Sequence, residues 1–261
     1  MPDTIERKLQ SIRINSRKNG KAIIDKLVAD YIVRENGKAV KKNSLDICIF
    51  CGSRDQITKE HVLPKWIFEA DPDKFFLTDV NGQKQTYNKT TVPACIKCNS
   101  DLLNNLEKSI QEIFEEVDSV NRFYSEEEWI NIIRWLEIID YKFQVLDVMR
   151  KFLAHKNGPY IEYLKDFPIS MMRKEGLSSV VISDIRRAFK RISRKDKIKN
   201  VNSLIVAKSK NQHFHFFHQA DEYIFIELPQ YKKSVFYFYK KLFQDDNDCL
   251  NEAKSIIKTH Y

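Results

Sequence analysis

The chain has 261 residues with 43% hydrophobic and 12% aromatic content, enough for an ordinary core, and its 6 Gly and 7 Pro argue against a disordered chain. A formal net charge of +8, with a pI near 9.1, suits a polyanionic partner. No stretch reaches the roughly 18 apolar residues of a membrane span, and the charged residues 1–10 hold no apolar signal core, so the expected compartment is the cytoplasm.

Residues 1–44 carry 11 Lys/Arg against 5 Asp/Glu. Ile23, Ile24, Leu27, Val28, Tyr31 and Ile32 recur at helical spacing, which predicts one amphipathic helix stopped near Asn36-Gly37. Such a stripe favours a packing helix over an arm lying on nucleic acid. Cys48-Ile49-Phe50-Cys51 follows, answered downstream by Cys95-Ile96-Lys97-Cys98. Each pair can turn two thiolates toward one tetrahedral ion, so the four predict a structural Zn²⁺ with no open coordination position. Without a secretory signal they read as metal ligands rather than disulfides. The fifth cysteine, Cys249, reads as a small buried hydrophobe.

Between the pairs lies Thr58-Lys59-Glu60-His61-Val62-Leu63-Pro64-Lys65-Trp66. Phe75-Phe76-Leu77 and Gln85-Thr86-Tyr87 flank Asn81-Gly82, which predicts an antiparallel hairpin running on into Thr90-Thr91-Val92. A helix is predicted from residues 99–101, with Leu102, Leu103, Leu106, Ile110, Ile113, Phe114 and Val117 on one face. That places Asn99 in its first turn, beside the second cysteine pair.

The order Cys-x-x-Cys, Glu-His-x-x-Pro, Cys-x-x-Cys-Asn resembles the zinc-anchored branch of the HNH (ββα-metal) endonucleases, over about residues 45–115. The resemblance implies that Glu60 and Asn99 bind a catalytic Mg²⁺ or Mn²⁺ and that His61 activates water as general base. One position departs. Where the family has a loop-fixing Asn about five residues before the second pair, this chain has Thr90, with Asn88 the nearest candidate.

The residue chemistry is compatible with that likeness. Phosphodiester hydrolysis needs a water deprotonated near neutral pH, which suits an imidazole. It also needs a cation where charge grows on the phosphate oxygens. A hard ion takes oxygen ligands, such as the Glu60 carboxylate and the Asn99 amide oxygen. Lys65 is placed to steer a phosphate from the turn after Pro64. The alternative is a zinc ribbon whose histidine is merely structural.

Ser125-Glu126-Glu127-Glu128 reads as a capping box opening a helix to about residue 153. Trp129, Ile132, Leu136, Ile139, Phe143 and Leu146 form its stripe, widened by Trp135, Ile138, Val145 and Met149, so it is a core helix. Ser179-Val180-Val181-Ile182 reads as a strand, and residues 184–199 as a basic helix. Residues 186–199 hold eight cations against Asp196, while Ile185, Phe189 and Ile192 supply a packing side. Arg186, Arg187, Lys190, Arg191 and Arg194 are expected, with Lys65, to hold a phosphate backbone. Residues 203–207, 213–217, 223–228 and 234–239 predict an antiparallel meander, closed by a helix over 248–258. His213, His215 and His218 lie close in sequence without a convincing ligand set for a second metal.

The expected architecture is α+β. It comprises a basic helical segment (1–44), a ββα-metal (HNH) module with a four-cysteine zinc site (45–120), and a C-terminal α+β region with antiparallel strands (121–261). The expected activity is divalent-metal-dependent hydrolysis of phosphodiester bonds, in DNA first, and the resemblance alone suggests phage defence or mobile elements. Its rivals are an RNA-cleaving nuclease and a zinc-stabilised nucleic-acid-binding protein that does not cut. A weaker third is an adaptor that holds a protein partner through the basic helix of the C-terminal region.

Overall fold

Helix α1 (Ile5–Tyr31) buries Leu9, Ile12, Ser16, Gly20, Ile23 and Leu27. Their separations of three and four residues trace one helix face, so the segment packs rather than forming an arm. The structure, a computed structural model, describes residues 5–31, 47–69, 71, 75–77, 84–86, 90–115, 124–149, 178–195, 198 and 201–260. The expected stop at Asn36-Gly37 lies outside them.

Strand β1 (Ile57–His61) carries Glu60 and His61 and pairs antiparallel with β4 (Thr91–Cys95). The register sets Glu60 opposite Val92 and His61 opposite Thr91. Between them, β2 (Phe75–Leu77) and β3 (Lys84–Thr86) form their own two-stranded ladder, with Phe76 opposite Gln85. The predicted hairpin therefore exists, and its turn lies outside the described residues. It is not the hairpin that leads into the helix. Thr91–Cys95 pairs with the strand bearing the acid–histidine pair, a long-range pairing that no local turn cue announces. After β4 comes a wide π-helical stretch, Lys97–Leu103, continued by helix α2 (Asn104–Glu115), which buries Leu106, Ile110 and Phe114.

Helix α3 (Glu126–Met149) starts with the expected capping box. The Ser125 N–H donates to Glu128 Oε2 (2.7 Å) and the Glu128 N–H donates to Ser125 Oγ (3.2 Å). From Asn131 to Lys142 every side chain is buried, so α3 is the axis of the molecule. Its expected extension beyond Met149 lies outside the described residues.

Helix α4 (Ser178–Ser193) replaces two expectations at once. The β-branched run 179–182 forms its first turns rather than a strand, because Ile185, Ala188, Phe189 and Ile192 continue one buried helical stripe. A packing face of that length overrides a local β preference. The helix then ends at Ser193, whose hydroxyl donates back to Phe189 O (2.8 Å).

The C-terminal strands β5 (Leu204–Lys208), β6 (Phe216–Gln219), β7 (Tyr223–Leu228) and β8 (Lys233–Phe238) form one antiparallel sheet in the order β5-β8-β7-β6. Only β6-β7-β8 is a meander; β5 joins at the far edge of β8. Alternation explains its two-sided burial. Ile224, Ile226, Leu228, Val235 and Tyr237 face the main core, whereas Phe217, Phe225, Phe236 and Phe238 meet helix α5 (Asp246–His260). Cys249 is fully buried on α5 in that second cluster, as a small hydrophobe. The main apolar core runs without a break from Leu9 through Phe50, Leu106 and Trp135 to Tyr237, across residues 44 and 120. Among the described residues, no helix is long and apolar enough to cross a membrane.

Candidate active site beside a four-cysteine cluster

The first cysteine pair sits in a tight loop. The Cys48 N–H donates to Ser53 O (2.7 Å) and the Gly52 N–H to Cys48 O (2.9 Å). Gly52 has φ +74°, and a Cβ there would come 2.9 Å from Cβ of Asn19, so both conformation and space require glycine. Three elements clamp the loop. Ser16 Oγ of α1 donates to Phe50 O (3.0 Å), Tyr141 Oη of α3 donates to Ile49 O (2.8 Å), and the Ile49 N–H donates to Pro93 O of β4 (3.1 Å).

Folding brings Cys48, Cys51, Cys95 and Cys98 together with all four sulfurs within 4.8 Å of one another, and Cys51 Sγ is 3.5 Å from Cys95 Sγ. A tetrahedral zinc–thiolate site has sulfur–sulfur edges of about 3.8 Å, from Zn–S bonds of about 2.3 Å. The cluster fits a metal such as zinc. Hydrogen bonds from Cys51 and then Cys98 pull the Cys48 thiol down to about 2, against burial. Cys51 is pushed up to about 12 and Cys98 is pushed up too, each first by its bond to Cys48. Thiols bind such a cation as thiolates, so metal binding would release protons from the cluster.

Beside the cluster, Glu60, His61, Pro64, Lys65, Asn99 and Glu107 line one cleft of about 380 Å³. Asn99 is fixed by its amide nitrogen, which donates to Thr58 Oγ1 (2.9 Å) and Lys59 O (3.4 Å), while Thr58 Oγ1 donates to Ala94 O (2.9 Å). The start of the helix is thereby tied to both strands, and the amide oxygen is the Asn99 atom left for a ligand. The ladder continues past His61, where the Val62 N–H donates to the carbonyl of buried Thr90 (2.9 Å). Lys65 lies at the exposed rim, paired with Glu69 (3.5 Å).

Two residues of the site were not singled out in the sequence. Lys142 of α3 is buried, and its ammonium donates to Glu60 Oε1, to His61 O (3.1 Å) and to Glu107 Oε1 (3.4 Å). Burial opposes the Lys142 charge, but Glu60 and Glu107 outweigh it and raise its proton affinity. Burial and then the Glu60 charge push the Glu107 carboxyl up to about 7, against the pull of Lys142. His61 is shifted down, chiefly by burial and further by Lys142, against the opposing effect of Glu60. The available signals were faint: Glu107 follows Asn99 by about two helical turns, and Lys142 is one of several charged residues, with Arg134, Glu137 and Asp140, in a helix with a wide apolar face. Lys142→Met leaves two carboxylates without their cation. Glu60 is buried and both carboxylates line the cleft, so the expected loss is about 3 kcal/mol of unfolding free energy, the low end for a broken buried pair, read from denaturant melts.

The basic stretch is divided by the fold. Arg191 is buried and donates to Asp140 and Asp221. Arg187 pairs with Asp184 and with Asp221 (2.7 Å), and Arg194 pairs with Glu137 (2.5 Å). These ion pairs tie α4, and Arg194 just past its end, to α3 and to the β6–β7 turn, and they bury the guanidinium of Arg191 away from a phosphate backbone. Arg186 and Lys190 point to solvent. Among the described residues, none of α4 lines the cleft. The three histidines do not converge: His218 bonds Asp140 (2.7 Å), His215 bonds Glu227 (3.1 Å), and His213 is exposed. Compared with known proteins, the chain matches no family model, no curated protein and no solved structure.

Proposed function

We propose that the chain is a divalent-metal-dependent endonuclease of the HNH (ββα-metal) type, hydrolysing phosphodiester bonds, with DNA the first substrate to test and RNA the second. The observation that carries this reading is the meeting of Glu60 and His61 from β1 with Asn99 from the following helix, in one cleft beside the four-cysteine cluster. Glu60, Asn99 and Glu107 offer oxygen ligands suited to Mg²⁺ or Mn²⁺. When bound, such an ion supplies positive charge at the phosphate oxygens. Lys142 engages Oε1 of each carboxylate, so Oε2 of Glu60 and of Glu107 is left for that ion. His61, with its proton affinity lowered, is the neutral imidazole at pH 7 that accepts a proton from water. Lys65, at the rim, neutralises an incoming phosphate.

The test incubates purified protein with supercoiled plasmid and with RNA, each with Mg²⁺, Mn²⁺ or EDTA, zinc content being followed alongside. Cleavage is expected with either ion and not with EDTA. His61→Ala should lose roughly 10²-fold or more, the usual scale for a general base, with its fold and zinc retained. Wild-type cutting by His61→Ala would overturn the assignment. The Lys142 ion pair favours a second reading, a zinc-stabilised nucleic-acid-binding protein that does not cut, because a lysine already neutralises Glu60. Binding by the wild type without cleavage under any ion would select it.

A further inference from the structure

Helices α1 and α4, far apart in sequence, cross at close range. A Cβ on Gly20 would lie 2.7 Å from Cε1 of Phe189, so only glycine admits this approach. The crossing leaves a groove of about 420 Å³ with Phe189 on its floor and Arg17, Lys21 and Arg186 on its walls. Asp25 is its one acid. Lys190 stands one turn beyond Arg186, exposed on the same helix. These cations differ from the other basic residues of α4 and from Arg194 just past its end. Arg187, Arg191 and Arg194 each have carboxylate partners, whereas Arg17, Lys21, Arg186 and Lys190 make no ion pair among the described residues.

Arg17 and Lys21 are spaced i, i+4, as are Arg186 and Lys190, so each pair is mutually repulsive on its helix. The fold then sets Arg17, Lys21 and Arg186 along one groove, with exposed Lys190 one turn past Arg186 outside its lining, and the four reinforce each other's field. A solvated helix face gains nothing from such an arrangement, and a ligand with closely spaced negative charges relieves it. We propose that the α1–α4 groove is a nucleic-acid backbone site, in which Arg17, Lys21, Arg186 and Lys190 touch successive phosphates without reading sequence. It rests on the nucleic-acid reading above for its occupant, and not on cleavage.

Binding is measured in a His61→Ala background without divalent ions, so cleavage has no part in it. Fluorescence anisotropy of a labelled DNA duplex is followed over a series of salt concentrations. Replacing Arg17, Lys21, Arg186 and Lys190 with Gln should flatten the log-affinity against log-salt slope by about 0.9 for each phosphate no longer neutralised, roughly 3 to 4 units in all. A control that replaces Lys208, Lys210, Lys254 and Lys258 with Gln removes the same charge elsewhere and should change the slope by less than about one unit. Asp25→Asn, a milder change, should tighten binding. An unchanged slope in the groove variant overturns the proposal, as does equal flattening by the control. Equal affinity for poly-glutamate, lost in the groove variant, would replace the nucleic acid with an acidic protein. A flattened slope in a chain that never cuts supports the groove and removes only the nuclease. Cutting by a wild type whose groove variant keeps its slope removes only the groove.

Discussion

Cys95→Ser should unfold the centre of this protein rather than slow a reaction. Cys95 closes β4, the strand paired with the one that carries Glu60 and His61, and the next residues begin the stretch that holds Asn99. Its sulfur lies in a cluster whose other members come from the clamped loop over residues 48–53 and from Cys98, three residues on. Metal binding to such a cluster is coupled to folding, by about 10 kcal/mol or more in small zinc modules, which exceeds the net stability of many domains. Elemental analysis of chain purified without chelator should give near-stoichiometric zinc, and chelation should lower the melting temperature. Cys249→Ser tests whether burial alone is responsible. That cysteine is equally buried on α5, outside the cluster, so the variant should keep its zinc. A zinc-free wild type, or a Cys95→Ser variant that melts with the wild type, would end the metal-centre assignment.

The site was legible where its chemistry is local. Two Cys-x-x-Cys pairs state their own ligand geometry, and the structure brings all four sulfurs together. The capping box at Ser125 is likewise a local hydrogen-bond pattern, and it forms as read. What failed depends on partners distant in the chain. The strand that enters the helix pairs across the excursion from residue 62 to 90, so the nearer Asn81-Gly82 cue pointed to the wrong partner. Residues 179–182 have the composition of a strand, yet the stripe from Ile185 to Ile192 commits them to a helix. The same cause hid Lys142. In sequence it is one charged residue among several on α3, and only the fold brings Glu60, from 82 residues away, to its ammonium.

Charge counting erred for the same reason, and Arg191 gives the sharpest test of it. The sequence places Arg191 in a run of cations suited to phosphate, but its guanidinium is buried between Asp140 and Asp221 and lies 5.1 Å from the ring centroid of Tyr239. Burial opposes its charge, and Asp140 followed by Asp221 more than restores it. Arg191→Gln leaves Asp140 in the core without its cation, where breaking a buried pair costs about 3 to 5 kcal/mol. Lys190→Gln, one residue away but exposed, should cost no more than about 0.5 kcal/mol. The pH dependence has a definite sign. Burial would raise the Asp140 carboxyl, but the bond from His218 and the charge of Arg191 hold it below the ordinary range. For Asp221, burial is likewise outweighed, by Lys240 and then Arg191. Carboxyls depressed in the folded state stabilise it above their unfolded pKa of about 3.9, and that contribution is lost as pH falls through the lower folded values. Wild-type stability should therefore drop below about pH 4, and Arg191→Gln, less stable at pH 7, should show a shallower drop there. Denaturant unfolding at pH 7 and at stepped acid pH separates the outcomes. If Arg191→Gln matched the wild type at pH 7, the guanidinium would not be the tie between α3 and α4, and its expected place on a phosphate backbone would have to be reopened.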